Sequence, residues 1–406
     1  MSERRSPLYD YHLRHAGRLV KGGGEYLFPD SYTSPREEHI NVRTNAGMQD
    51  LSSMGQVDIK GPGAERLLNR LLVNEIRTME PGQLRYSTMC NEDGGIVDDV
   101  TLYKFHDEHF MVVTSSGPRA QSFHWIREHA RLAAAYVTDV SRGIALPVVQ
   151  GPRSRALLES VLDEGDLQAL RFFRFTAARI NEIEVILSRS GYTGELGYEL
   201  YAPADEAVTL WEHLLDRGQE FGIRPYGATA MNSLRVEKAF PLYGKDIHPD
   251  VTPFHVGLDR WIRFDKREFT GRDALLQVQE MGIDQRWTGL MLESKTPVNA
   301  DDPVYAVADM LSFRARRFSG PEAGEEEDAA VLGEEIGRVT VSVRGYSVNK
   351  TLAMAYLRTT HTWPGAKVLV ASAGRPILAT VTATPFFDAS GARIRAKYDD
   401  PPDRRP

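Results

Sequence analysis

The chain has 406 residues, a formal net charge of −7, 42% hydrophobic and 26% charged residues, and one cysteine. That length exceeds a single core and predicts two or three domains, while an acidic balance without a basic stripe argues against a nucleic-acid binder. The lone Cys90 excludes an internal disulfide and a cysteine-built metal site, and with no apolar run of spanning length the chain reads as cytoplasmic, without a membrane anchor.

Along the chain, Lys21-Gly-Gly-Gly lacks the Lys-Ser/Thr of a phosphate loop and reads as a flexible connection. Val57-Asp-Ile-Lys-Gly-Pro-Gly-Ala-Glu-Arg-Leu-Leu has a faint echo in Leu146-Pro-Val-Val-Gln-Gly-Pro-Arg-Ser-Arg-Ala-Leu-Leu. Both predict a strand, a Gly-Pro turn and an amphipathic helix with Pro near its first position. Tyr86 to Tyr103 predicts two alternating strands joined at Gly94-Gly95, with two carboxylates opening the second strand. Alternation puts Asp99 on one face with Val97, Thr101 and Tyr103, and Asp98 on the other with Ile96 and Val100. The two acids therefore cannot share a proton as a dyad. A carboxylate among apolar and aromatic neighbours is either a partnered core acid or a working group.

His106 and His109, then His124 and His129 on a helix predicted over 118–134, are spaced so that each pair faces apart. No metal site is expected. Cys90 has no basic neighbour to activate it and reads as packing. A second hairpin spans 182–201, turning through Gly191, Gly194 and Gly197, with Glu184 and Glu199 on opposite arms and Tyr192 in the turn. No G-x-G-x-x-G follows a strand, so no flavin or nicotinamide domain is visible. Ala228 to Phe240 predicts a helix whose Arg235, Glu237 and Lys238 read as a surface charge set. From Trp287 onward, short alternating strands predict a small all-β domain. It carries a mobile polar insertion over 314–335, and 399–406 reads as a disordered tail.

Several segments, in order from about Pro7 to Arg395, resemble the tetrahydrofolate-dependent aminomethyltransferase family. They are Gly47-Met-Gln-Asp-Leu-Ser-Ser-Met-Gly, Tyr86 to Tyr103, Ser188-Arg-Ser-Gly-Tyr-Thr-Gly-Glu-Leu-Gly-Tyr-Glu199, Leu234-Arg-Val-Glu237, Tyr243-Gly-Lys-Asp-Ile247, Pro253-Phe-His-Val-Gly-Leu258, Phe269-Thr-Gly-Arg-Asp-Ala274, Gly337-Arg-Val-Thr340 and Pro385-Phe-Phe. The family includes the glycine-cleavage T-protein, the folate domains of dimethylglycine and sarcosine dehydrogenases, and folate-dependent demethylases. The resemblance implies an α+β, three-domain cloverleaf around a central folate channel. Its expected parts are a discontinuous central domain (1–56 with 140–258), a second domain carrying the Asp99 hairpin (57–139) and a C-terminal β-barrel (259–398).

The resemblance also assigns roles. Asp99 matches the catalytic aspartate; Glu199 and Glu184 match acids at the pterin; Tyr192 and Tyr103 match aromatic wall positions, with Tyr86 and Met54 lining the same pocket. It implies tetrahydrofolate as cofactor, a small methylated donor, and either a separate oxidase or a carrier protein as partner, since no flavin domain is fused. Ser53, Thr114 and Met231 stand where the T-protein pattern has His, Asn and Arg, and Phe172-Phe173 where tyrosines are usual. The expected activity is one-carbon transfer to tetrahydrofolate. The alternatives are a folate-binding accessory protein without turnover, like the iron–sulfur-assembly relatives, or a true glycine-cleavage T-protein acting on a lipoyl carrier.

Overall fold

The computed structural model describes residues 4–308 and 332–397. Most of the insertion expected over 314–335, and the tail expected over 399–406, lie outside the described residues. Three large sheets organise the rest, beside a two-stranded one of Arg18–Lys21 and Leu27–Ser31. Five antiparallel strands form one, in the order Gln83–Cys90, Ile96–His106, His109–Thr114, Gly55–Lys60 and Tyr136–Asp139. A second sheet of eight strands runs from Leu162–Glu164 through Gly197–Pro203 and Pro147–Gln150 to Ala46–Asp50, with Ile223–Pro225 joining parallel at its edge. A closed six-stranded barrel, opened by Gln285–Leu292 and closed on it by Arg375–Thr382, forms the third. Closure leaves the barrel no free edge.

The two echoing segments fold alike, as Gly55–Lys60 leading to the helix Ala64–Leu71, and Pro147–Gln150 leading to Ser154–Val161. In each, the Gly before Pro has positive φ (122° at Gly61, 129° at Gly151), a region open to glycine. The prolines stop one residue short of the N-cap, because Gly63 and Arg153 hold that position. Leu67, Leu68 and Leu71 of the first helix pack on Val57, Ile59 and Val112; Leu157 and Leu158 of the second pack on Met48 and Val149. Each helix thus buries one apolar face on its own sheet.

The helix expected over 118–134 is Arg119–Ala130, and the long one near residue 230 is Ala228–Glu237. The latter corrects one expectation. Arg235, Glu237 and Lys238 are not a surface set, since all three are buried. The helix packs against Pro35–Thr44 on one side and the barrel strands Leu332–Gly345 and Lys350–Arg358 on the other, so its polar face is covered as well. Arg235 pairs with Asp246, and its Nε donates to Asn232 Oδ1 at 2.8 Å. Lys238 pairs with Asp388 at 3.1 Å. No helix among the described residues is long and apolar enough to cross a membrane.

Candidate functional site

The Asp99 hairpin is fixed at its tip by close packing. Asn91 Oδ1 accepts from the Gly95 N–H at 2.8 Å, and the Ile96 N–H donates to the Val251 carbonyl at 2.9 Å. A β-carbon on Gly95 would sit 1.7 Å from the Pro249 carbonyl oxygen, so only glycine lets the tip dock there. Along the strands Met89 faces Asp98 while Cys90 faces Ile96, leaving Val97 as an extra residue in a bulge. That bulge breaks the simple alternation. Val97 packs with Val100 and Leu102 in the core beneath Ala64–Leu71, instead of sharing a face with Asp99.

Beyond the bulge, Asp99 is half-buried and turns into a cavity of about 1640 Å³ walled by residues of all three sheets. Tyr86 Oη donates to its Oδ2 at 3.0 Å and Ser115 Oγ to its Oδ1 at 3.0 Å. Burial raises the carboxyl above its ordinary range, and these two hydrogen bonds pull the other way. Burial, and then the charge of Asp99, push Tyr86 far up, so it stays a neutral donor. Ser115 was not anticipated from sequence. The register Thr101 opposite Val113 places it beside Asp99, which a count along the paired strands would have shown.

Glu199 also lines the cavity. The hydroxyls of Tyr103 and Tyr201 each lie 3.1 Å from its Oε2 and 2.8 Å from one another. Burial raises this carboxyl too, against the hydrogen bonds that it accepts. Tyr192, Tyr86 and Met54 are on the wall. Tyr192 Oη donates to the Pro241 carbonyl at 2.5 Å, so the cavity meets its ring, stacked with Phe240 at 5.9 Å between centroids.

Two expected site residues are placed otherwise. Tyr103 is fully buried behind Glu199 and is not a wall residue. Glu184 is exposed and pairs across the sheet with Arg179, four residues from Ser188, which pairs with Glu199. Its face is right, but four residues are roughly 13 Å of strand, too far for the cavity. Lys21, Gly22 and Gly23, expected as a flexible connection, are part of the cavity wall, with a β-carbon at Gly22 falling 2.4 Å from the Phe28 ring. His109 bonds Asp58 at 2.6 Å, and no cluster able to hold a metal occurs among the described residues. Cys90 is buried, and burial pushes its thiol up to about 12.

Asp98 lies behind this wall, fully buried. Its Oδ2 accepts from Ser122 Oγ at 2.6 Å and the Ser115 N–H at 3.2 Å, while Oδ1 has no partner. Burial, then the charge of Asp99, raise this carboxyl well above the ordinary value. The folded state therefore holds a proton that the unfolded chain releases above about pH 4, and stability falls as pH rises through that window. Asp98→Asn keeps the shape and stays neutral. It should raise the thermal midpoint at pH 8, with the advantage shrinking toward pH 4; a lower midpoint at pH 8 would mean that Asp98 is charged in the fold.

The chain matches the model of the GCVT N-terminal domain over residues 8–266 and that of the glycine cleavage T-protein C-terminal barrel domain over residues 313–388. It belongs to the glycine cleavage T-protein family. A T-protein-family relative, the aminomethyltransferase of Halothermothrix orenii, is 33% identical over 385 residues, which cover 95% of this chain and 100% of that one. The aminomethyltransferase of Moorella thermoacetica is 36% identical over 346 residues, 84% and 94% of the two chains. The crystal structure of the glycine cleavage system aminomethyltransferase T from Bartonella henselae superposes with a TM-score of 0.82 at 27% identity, covering 96% of this chain and 99% of that one. The T-protein fold thus extends over the two open sheets and the barrel.

Proposed function

We propose that this chain transfers a one-carbon unit to tetrahydrofolate, with Asp99 as its catalytic carboxylate and Glu199, Tyr192, Tyr86 and Met54 around the ring system. Aminomethyl transfer as the class of reaction rests on relatives of that name matched over nearly their whole length. The observation that carries the reading is one arrangement: two carboxylates, Asp99 and Glu199, on the wall of a single large cavity that the aromatic side chains of Tyr86, Tyr192 and Phe173 also line.

The residues fit the group. A pterin presents amino and ring N–H donors, and carboxylates are acceptors that take two such donors at once. Tyr86, Tyr192 and Phe173 offer aromatic faces to a flat ring. Bound tetrahydrofolate would supply the nucleophilic nitrogen that receives the carbon. Asp99 orients that nitrogen's N–H and balances the positive charge that grows there, while Tyr86 and Ser115 fix the carboxylate in place.

For the donor, Ser53 and Met231 both line the cavity and both are uncharged. A site without a fixed cation at Met231 favours a small amine, sulfonium or methoxy donor, used directly or activated by a separate oxidase. A second reading, favoured by the relatives' activity, is an aminomethyl group on a lipoyl carrier protein. Incubation with tetrahydrofolate and a panel of N-, S- and O-methyl compounds, and separately with an aminomethyl-loaded lipoyl protein, distinguishes them. Product from a free donor, resolved as 5-methyl or 5,10-methylene folate, supports the first reading; 5,10-methylene folate from the carrier alone supports the second. Folate binding without any turnover would make the chain an accessory protein, and absence of folate binding would end the proposal.

A further inference from the structure

Three polar side chains with no part in the transfer so far run from the cavity wall into the core. Tyr32 is half-buried and lines the cavity, and its Oη lies 2.8 Å from His12 Nδ1. The other ring nitrogen of His12, Nε2, lies 3.0 Å from Asp50 Oδ2. Asp50 is fixed in turn, because its Oδ1 accepts from the Ser52 N–H at 2.9 Å. His12 itself is 1% exposed on the helix Tyr9–His15 and stands edge-on to the Trp211 ring, 5.5 Å between centroids. Both of its nitrogens are thus committed, one to a hydroxyl at the cavity wall and the other to a carboxylate. That is the connectivity of a hydroxyl–imidazole–carboxylate relay.

Its place matters as much as its order. Glu38 is buried and holds Tyr32 against the start of the helix Ala228–Glu237: its Oε1 accepts from the Tyr32 N–H at 2.6 Å and its Oε2 from the Gly227 N–H at 2.8 Å. That helix carries Met231, and Asp50 stands three residues before Ser53. The relay therefore meets the cavity on the segments that carry Ser53 and Met231, to which the donor was assigned above. Burial would raise the Asp50 carboxyl, yet the hydrogen bond and charge of His12 and the bond from Ser52 outweigh it and hold the carboxyl below its ordinary value. Asp50 is then an anion at neutral pH, able to offset the charge that a proton brings to the ring. Burial, and next the charge of Asp50, push Tyr32 up. A free tyrosinate does not build up, so Tyr32 passes a proton on only while it takes one from His12.

We propose that Tyr32 is a catalytic proton donor to the leaving atom of the one-carbon donor, with His12 and Asp50 as the positioning residues that resupply it. The assignment rests on the transfer reading above and deepens it by naming the donor class. A sulfonium departs as a neutral thioether and needs no proton, whereas the nitrogen of an aminomethyl group or the oxygen of a methoxy group does. As the carbon–heteroatom bond breaks, its electron pair goes to that nitrogen or oxygen, which takes the Tyr32 Oη proton. Tyr32 takes the Nδ1 proton of His12, leaving a neutral ring bonded to Asp50 through Nε2–H. The new bond to carbon is made by the nucleophile's lone pair, and the proton that the nucleophile gives up goes to solvent, from which His12 is recharged.

Tyr32→Phe keeps the ring and removes the hydroxyl. With aryl methyl ethers or the aminomethyl-loaded lipoyl protein as donor, single-turnover transfer should fall roughly a hundredfold or more, the scale of general acid catalysis, while tetrahydrofolate affinity stays within about twofold. Across a series of the ethers the loss should grow with the basicity of the leaving phenolate. Asp50→Asn should show the same steeper dependence, which a merely structural role would not produce. Without any donor, the His12 ring protons should give downfield proton NMR signals that shift in Tyr32→Phe. Equal rates in parent and Tyr32→Phe, turnover confined to the trimethylsulfonium ion, or a rate loss matched by an equal loss of folate affinity overturns the proton-donor role and leaves the transfer reading standing. Unshifted His12 signals, or an unchanged dependence in Asp50→Asn, overturn the relay. Failure of the parent to transfer carbon from any of these donors overturns both readings together.

Discussion

Asp99→Asn should cut turnover by roughly a hundredfold or more, the scale for a positioned charge, while folate affinity stays within several-fold of the parent. The reason is local. Asn keeps the side-chain shape and one oxygen acceptor, so either Tyr86 Oη or Ser115 Oγ, each 3.0 Å away in the parent, can still donate to it. What disappears is the negative charge facing the reacting nitrogen, an interaction that counts mainly where positive charge is growing. Binding and chemistry should therefore separate. The pH profile gives a second readout. Burial raises the Asp99 carboxyl, so the acid limb of the parent's rate profile should lie above the ordinary carboxylate value of about 3.9. The variant should lack that limb. Single-turnover rates for both proteins across pH 4–9 decide the matter, and near-normal turnover in Asp99→Asn would remove this residue from the mechanism.

How far this arrangement could be read beforehand depends on the range of the forces involved. Short-range features were legible. The Gly94-Gly95 hairpin, the paired strand–turn–helix segments around Gly61 and Gly151, and the all-β character of the chain after Trp287 are written in local turn chemistry and period-two patterning, while closure of that last part into a barrel was implied by the family resemblance. Asp99 was singled out by its position after that turn, and its role by a family resemblance. What was missed depends on contacts between distant segments. A bulge at Val97 is set by docking of the hairpin tip on Pro249, 152 residues on, and pattern alone does not show it. Glu184 has the right parity on its strand but the wrong distance along it, which requires the register with Gly197–Pro203. Tyr103 looks like a wall residue until Glu199 and Tyr201 are seen to cover it. Charged residues misled most of all. Arg235, Glu237 and Lys238 have the composition of a solvated helix face, and only packing on both sides of Ala228–Glu237 turns them into core.

That buried charge leads to the second large effect. Arg43→Met should lower the thermal midpoint by roughly 5 °C, from a loss of about 3–5 kcal/mol. Arg43 is 5% exposed and joins four separate segments. Its Nη1 lies 2.9 Å from Glu195 Oε1 and its Nη2 2.9 Å from Glu237 Oε2, while its Nε donates to Ser347 Oγ at 3.1 Å. Arg393 caps the other side, with Nε 2.7 Å from Glu195 Oε1 and Nη2 donating to the Arg43 carbonyl at 2.5 Å. The helix Pro35–Thr44, the second hairpin, the helix Ala228–Glu237 and the barrel loop at Ser347 are thus held at one point. Methionine fills the space but leaves two carboxylates short of a cation. In the parent, burial would raise Glu237, yet His39, Arg43 and Ser347 outweigh it and hold the carboxyl down at about 2. A depressed carboxyl contributes stability above the unfolded value of about 4.3 and loses it as pH falls through 2. Without Arg43 the depression of Glu237 shrinks, because burial is then opposed by His39 and Ser347 alone. The gap between parent and variant should accordingly be full at pH 8 and narrower at about pH 3, below the unfolded value. Thermal melts at both pH values test this, and a shift under about 2 °C at pH 8 would show that the network adds no net stability.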